Sequence, residues 1–197
     1  RPTMEVDNRL LGAHQVPRAV LRAKTSAMVG STIANLALWA KPENAEHLPG
    51  ERYGREDLYL DGARGDDFIG VQSYSTQEID ANGMVPAPPS PDNTVTGAAN
   101  RPEALGTAIR HAADVTGAPV LVTENGIATA DDEQRIAYTT GALQGLRDAI
   151  AAGIDVRGYL HWSALDNFEW GHWEPTFGLI PVDPGVFSPH PHPTLAW

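Results

Sequence analysis

The sequence contains no cysteine, which excludes disulfide bonds, thiol catalysis and thiolate metal sites. It also has no run of about 18 apolar residues, the minimum for a transmembrane helix. Basic residues are scarce, because 14 Lys and Arg stand against 25 Asp and Glu, for a formal net charge of −11. Such a surface repels nucleic acid and anionic lipid. We therefore expect neither a nucleic acid nor a membrane as a partner, whereas a neutral small molecule is compatible with this charge.

The N-terminal residues lack a positively charged region followed by an apolar core, so they do not form a signal peptide. Together with the absence of cysteine, this is compatible with a cytoplasmic location, which we adopt as the expectation. The first residue is Arg and not Met, so either the chain was processed or the sequence begins partway through a longer one. The length of 197 residues is that of about one domain.

Hydrophobic periodicity predicts alternating strands and helices. The predicted strands cover residues 28–34, 67–74, 119–124 and 156–163. The predicted helices cover residues 10–24, 102–115 and a stretch that begins after Asp131 or Asp132 and ends at Gly153. Pro17 predicts a late start or a kink in the first helix. Strands separated by helical crossovers indicate a parallel α/β sheet, and four such units make half of an eight-stranded β/α barrel.

Two further stretches give weaker signals. Residues 41–65 are polar and rich in turn formers, with weak helical signals at best. Residues 81–102 contain five prolines with Gly, Asn and Ser between them, which predicts a long surface loop.

Polar and aromatic residues of chemical interest lie at the carboxyl ends of the predicted strands. Tyr74 ends the second strand, Glu124 the third and Trp162 the fourth, while Glu169 and Trp170 follow in the next loop. In a β/α barrel all these strand ends face the active site. Carboxylates beside aromatic rings suit carbohydrate chemistry, because rings stack on apolar sugar faces and acids accept hydroxyl hydrogen bonds or attack the anomeric carbon.

Each of these residues also has an ordinary explanation when taken alone. A lone Glu at a strand end is usually solvated or ion-paired, and Trp or Tyr residues are often structural. His190 and His192 lie two residues apart among prolines, but no third ligand accompanies them. We therefore predict no metal site and no cofactor.

Longer motifs distinguish between these explanations. Residues 123–126, Thr-Glu-Asn-Gly, resemble the nucleophile motif of the β-glucosidase family, family 1 of the glycoside hydrolases. Residues 162–170 are similar to the family's sugar-binding loop, and Phe-Gly-Leu at residues 177–179 with Val-Asp at 182–183 is similar to the segment that closes its barrel. Residues 67–74 resemble its strand carrying a nucleophile-binding Tyr. The resemblance is to the family's C-terminal half and covers residues from about Leu10 to Trp197.

This resemblance implies a single β/α-barrel catalytic domain, of which residues 1–197 form roughly the last four β/α units. It implies an enzyme that hydrolyses β-glucosides or related small saccharides with retention of configuration. In the implied roles, Glu124 is the nucleophile, Tyr74 donates a hydrogen bond to it, and Trp162 forms the floor of the sugar site. Glu169 and Trp170 bind the outer sugar hydroxyls.

The chain also departs from the family pattern. Gln72 and Ser73 replace the usual Asn-Tyr, and residues 171–176 are shorter than usual. The family's acid/base Glu lies in an Asn-Glu-Pro motif, which is absent. Two hypotheses follow: a truncated enzyme sequence whose other half lies upstream, or a short half-barrel that binds sugar weakly and does not catalyse. In either case the predicted edge strands, residues 28–34 and 156–163, favour self-association.

Overall fold

The computed structural model describes residues 4–183, 185–186 and 191–196 of the chain. The described α-helices and strands follow in the order α1 (Met4–Lys24), β1 (Gly30–Ala34), β2 (Leu38–Ala40), α2 (Leu48–Arg52), α3 (Leu58–Gly62), β3 (Phe68–Gln72), β4 (Gln77–Asp80), β5 (Gly83–Val85), α4 (Ala104–Thr116), β6 (Val120–Glu124), α5 (Asp132–Ala151) and β7 (Val156–Tyr159). Short 3₁₀ helices cover Pro42–His47 and Pro193–Leu195, and a π-helical turn covers Tyr53–Asp57.

The main sheet has four parallel strands in the order β1-β3-β6-β7. These are the four strands that the sequence predicts, and their outer members β1 and β7 are its edges. Ile69 and Val71 of β3 and Val120 and Val122 of β6 are completely buried. Leu105 and other apolar residues of α4 and α5 pack in the same core. Burial in this core explains why the central strands appear in the sequence as nearly continuous apolar runs.

The two long helices after β3 and β6 begin and end where local sequence signals place them. The Asp131 side chain accepts hydrogen bonds from the backbone N–H groups of Glu133 (2.9 Å) and Gln134 (3.3 Å), which makes it the N-cap of α5. Gly117 ends α4 with a φ of 66°, a left-handed conformation that glycine adopts at little cost.

The first helix differs from the prediction. It begins at Met4 and not at Leu10, and Pro17 lies inside it without ending it. Asp7 explains the earlier start, because its buried carboxylate accepts a hydrogen bond from the Tyr59 hydroxyl at 2.6 Å. This contact with a residue distant in sequence fixes the first turns of α1 against α3.

Residues 41–65 were expected to be rich in turns with little helix, and this prediction was wrong. The stretch forms a nearly continuous series of short helices. Pro42 and Pro49 lie in the first turns of their helices. A backbone N–H at this position has no partner within the helix, so its absence in proline costs no hydrogen bond. Glu56 is buried within the series and accepts a hydrogen bond from the Leu36 backbone N–H at 2.7 Å. Because Glu56 is a charged residue, the hydrophobic pattern of the sequence does not show that this side of the helices is buried.

A second, smaller sheet joins β2, β4 and β5, and the sequence pattern did not reveal it. β4 and β5 form an antiparallel hairpin that overlaps the start of the predicted loop at residues 81–102. Gly83, the first residue of β5 after the turn, has a φ of 105°. The irregular segment therefore begins only at Pro86. Strands of three or four residues are too short to show a clear alternation.

Candidate active site

The carboxyl ends of the main-sheet strands and the loop after β7 line an open cavity of about 990 Å³. Its lining comprises Ala34, Gln72, Tyr74, Val95, Thr96, Glu124, Trp162, Asn167, Phe168, Glu169, Trp170, His172, Glu174, Pro175 and Phe177. All five residues that the sequence singles out as site residues are among them. The parallel sheet therefore brings the predicted residues to one place.

Glu124 is the last residue of β6, and both of its carboxylate oxygens accept hydrogen bonds. The Tyr74 hydroxyl donates to Oε2 at 2.5 Å, and the Gln72 side-chain amide donates to Oε1. Burial, and then the hydrogen bond and charge of Glu124, raise the pKa of Tyr74 well above its ordinary value. The phenol is therefore a neutral donor throughout the physiological range, and it holds the carboxylate in one orientation.

Glu169 is the centre of a second hydrogen-bonded group in the loop after β7. Its Oε1 accepts hydrogen bonds from the Trp162 indole N–H and the Asn167 side-chain amide, both at 2.8 Å. The residue is only 8% exposed. A carboxylate that is both buried and held by two donors is a preorganised acceptor for ligand hydroxyl groups.

Trp170 differs from its neighbour Glu169 in its exposure. Trp170 and Gly171 both have positive φ values, 49° and 104°. The backbone turns back here, because Glu169 and His172 exchange backbone hydrogen bonds of 2.8 and 2.9 Å. The Trp170 side chain is 98% exposed as a result, and its ring is available at the rim of the cavity.

Position 126, in the motif after Glu124, has no space for a side chain. A Cβ atom at this position would lie 2.0 Å from the backbone oxygen of Trp162. The Trp162 backbone N–H donates to the Asn125 oxygen at 2.9 Å, so the two segments touch directly. Glycine is required for this approach, which sets the Trp162 ring beside the Glu124 strand.

Two residues that line the cavity, and one partly buried residue next to Trp162, have no role predicted from the sequence. Gln72 departs from the family pattern, yet its side-chain amide donates a hydrogen bond to Glu124. Asn167 donates a hydrogen bond to Glu169, and its position within the loop motif is the sequence signal that could have indicated a role. His161 precedes Trp162, and burial, followed by the nearby positive charge of Arg135, lowers the pKa of His161 to about 4. Its imidazole is therefore neutral at pH 7 and is not an imidazolium acid.

The sequence profile of glycosyl hydrolase family 1 matches residues 64–189. The chain belongs to this family. It is similar to the thermostable beta-glucosidase B of Thermobispora bispora, with 34% identity over 155 residues, which are 66% of this chain and 32% of the relative. It is also similar to a bifunctional beta-D-glucosidase/beta-D-fucosidase of Bifidobacterium breve, with 33% identity over 150 residues, 59% of this chain and 33% of the relative.

A solved family 1 structure extends the likeness to the whole chain. The beta-glycosidase BGL167 superimposes with a TM-score of 0.93 at 39% identity, over 100% of this chain and 48% of BGL167. The chain thus spans about half of that structure and about a third of the two curated relatives. Family membership and this likeness confirm the predicted resemblance and the predicted part of a β/α barrel.

Two other expectations concern metals and membranes. Among residues 4–183, 185–186 and 191–196, no three His, Asp or Glu side chains group as a metal site would require. His190 lies outside the described residues, and His192 faces Asp132 at 3.9 Å. No helix in the described part of this family 1 chain is long and apolar enough to cross a membrane.

Proposed function

We propose that residues 1–197 are part of the single barrel domain of a retaining β-glycosidase, in which Glu124 is the nucleophile. The observation that carries this proposal is the Glu124 carboxylate, held by the Tyr74 hydroxyl at the carboxyl end of β6 in a family 1 chain. Covalent labelling of Glu124 by a fluorinated glycoside, whose glycosyl-enzyme hydrolyses slowly, tests the assignment.

The proposed reaction has two displacements at the anomeric carbon. One oxygen of ionised Glu124 forms a bond to that carbon, the glycosidic carbon–oxygen bond breaks, and the departing oxygen takes a proton from a general acid. Water then attacks the anomeric carbon, releases Glu124 and returns its proton to the same acid. Tyr74 remains a donor to the carboxylate throughout, because its pKa is raised by burial and by Glu124.

The substrate class follows from the charges that line the cavity. Its lining includes the carboxylates of Glu124, Glu169 and Glu174, and no Lys or Arg occurs among the described lining residues. Carboxylates accept hydrogen bonds from sugar hydroxyls but repel phosphate and uronate groups. We therefore propose a neutral β-glucoside or a related small neutral saccharide, with Trp162 and Trp170 offering ring faces for stacking.

The activity of a complete site is best measured in a hybrid barrel, in which this chain replaces the matching 48% of BGL167. In this hybrid, Glu169→Ala should lower kcat/KM for an aryl β-glucoside, which corresponds to a loss of about 2 to 3 kcal/mol of transition-state stabilisation. The loss is expected because Trp162 and Asn167 lose their acceptor and the sugar loses a charged partner. Steady-state kinetics give the comparison.

Glu174→Ala is the matched control for this prediction. The Glu174 side chain also lines the cavity, but it is 78% exposed and lies 3.8 Å from His172. We expect Glu174→Ala to change the transition-state stabilisation obtained from kcat/KM by less than about 0.5 kcal/mol, because this position is exposed. Equal kcat/KM values for Glu169→Ala and the unsubstituted hybrid would remove Glu169 from the sugar site.

The chain alone supports a second candidate function, a half-barrel that binds sugar weakly without catalysis. The observation that favours it is the open four-stranded sheet, whose edges β1 and β7 have no outer partner among the described strands. Closure of a barrel removes such edges. For the isolated chain we propose self-association through these edges, with a second copy in the place of the other half.

A further inference from the structure

We propose that Tyr138, on helix α5 outside the sheet, is a positioning residue that holds the Tyr74 backbone so that the Tyr74 hydroxyl meets Glu124. The proposal rests on the proposed function only in giving this contact a catalytic purpose. Tyr138 is too far along the chain for the sequence motifs to connect it with the site. Its contacts in the fold make the connection.

The need for such a residue arises where the strands end. β3 ends at Gln72 and β6 ends at Glu124, so the next carbonyl groups, those of Ser73 and Tyr74, have left the regular ladder. The Tyr138 hydroxyl donates to the Tyr74 carbonyl oxygen at 2.7 Å. The Asn125 side-chain amide donates to the Ser73 carbonyl oxygen, also at 2.7 Å. These side chains continue the hydrogen bonding that the sheet no longer provides.

The two donors are joined to each other. The Asn125 amide also donates to the Tyr138 hydroxyl at 3.0 Å, and the Tyr159 hydroxyl donates to Asn125 Oδ1 at 3.0 Å. Asn125 is 0% and Tyr138 is 1% exposed, so solvent has no ready access to replace a lost partner. Removal of the Tyr138 hydroxyl would leave the Tyr74 carbonyl and one Asn125 N–H without a partner.

Tyr138 can act as a fixed reference because α5 is itself attached to the loop after β6. Arg135, one turn earlier on α5, donates to the carbonyl oxygens of Ile127 at 3.1 Å and Thr129 at 2.6 Å. The Asp131 cap fixes the start of the same helix. Thus α5 is held to the segment that follows Glu124, and through Tyr138 it holds the segment that carries Tyr74.

The titration of Tyr74 reports directly on this geometry and requires no glycosidase activity. Burial first, and then the carboxylates of Glu124 and Glu169 and the Tyr138 hydroxyl, raise the pKa of Tyr74. The Phe177 ring packs edge-on against it at 5.8 Å. The chain is labelled with tyrosine carrying ¹³C at Cζ, and the Tyr74 signal is assigned with Tyr74→Phe. A pH titration then follows ionisation, with unfolded tyrosine, which titrates at about pH 10, as the reference.

In the unsubstituted chain we expect the Tyr74 signal to stay in its neutral form after the reference has titrated. In Tyr138→Phe, Tyr74 should begin to ionise at a lower pH than in the unsubstituted chain, because its hydroxyl no longer aligns with Glu124. Glu124→Gln shows how far the Tyr74 titration shifts when the carboxylate charge alone is removed, since the Tyr74 backbone stays held in that variant. Circular dichroism confirms at each pH that the chain is folded.

Thr116→Val is the matched control, because it also removes a buried hydroxyl, one that donates to the Ala112 carbonyl in α4 and does not contact the site. It should lower thermal stability and leave the Tyr74 titration unchanged. An unchanged titration in Tyr138→Phe, or an equal shift in Thr116→Val, would overturn the proposal.

A second variant covers the case in which Tyr138→Phe does not fold. Tyr159→Phe removes the donor at the other end of the network and should shift Tyr74 in the same direction by a smaller amount. No shift in that variant would also contradict the proposal. The outcome is independent of the nucleophile assignment, which depends on where a fluorinated glycoside labels the protein.

Discussion

In the hybrid barrel, Glu124→Ala should reduce kcat for an aryl β-glucoside by about 10⁴-fold or more, because it removes the attacking atom of the reaction. The fold should persist, since the carboxylate faces a cavity and accepts its hydrogen bonds from the side chains of Gln72 and Tyr74. Kinetics with an activated substrate, together with thermal unfolding, separate lost chemistry from lost structure.

Azide should partly restore turnover to Glu124→Ala. The truncated side chain leaves space beside the anomeric carbon, and the small anion can attack from the same side as the missing carboxylate. Since only one displacement then occurs, the glycosyl azide should have the inverted, α configuration, which NMR detects. Glu124→Gln fills the space and should respond little to azide. Near-normal hydrolysis by Glu124→Ala without azide would reject the nucleophile assignment.

The isolated chain of 197 residues should show at most trace glucosidase activity. Retaining hydrolysis needs a second carboxyl group about 5–5.5 Å from the nucleophile. The sequence has no Asn-Glu-Pro motif to supply it. Of the other carboxylates that line the cavity, Glu169 is engaged by Trp162 and Asn167. Glu174 is 78% exposed beside His172. An activated aryl glucoside, which needs little acid assistance, should be cleaved better than an unactivated one.

The mass of the isolated chain in solution completes this prediction. The edge strands β1 and β7 have no outer partner strand in the described part of the chain, and α1 exposes apolar side chains such as Val16 (67% exposed) and Val20 (56% exposed). We expect a dimer or larger assembly by light scattering. A stable monomer that cleaves both glucosides at about 1–10³ per second would contradict the half-site account.

The sheet was predictable from the sequence because its central strands are buried in the core. β6 gave a continuous apolar run, and Gly117 and Asp131 marked the neighbouring helix ends. The convergence of Tyr74 and Glu124 followed from the rule that parallel strands end at one edge. Family motifs then supplied what periodicity could not, the roles of the residues at that edge.

Other features depend on contacts between distant residues, which a local pattern does not contain. The helices at residues 41–65 surround a buried carboxylate, Glu56, that binds the Leu36 backbone. The contact of Gln72 with Glu124 requires the register shift between Val71 and Gln72, which places Gln72 opposite Glu124. The Tyr138 contact joins residues 64 positions apart.

The most direct test of the central claim is to find the residue that becomes covalently glycosylated. The hybrid barrel is treated with 2,4-dinitrophenyl 2-deoxy-2-fluoro-β-D-glucoside, whose leaving group needs no acid and whose fluorine slows hydrolysis of the intermediate. Peptide mass spectrometry then locates the label. Our account predicts one fluoroglucosyl group per hybrid, on Glu124, and none in Glu124→Gln. A label on another residue, or equal labelling of Glu124→Gln, would contradict it.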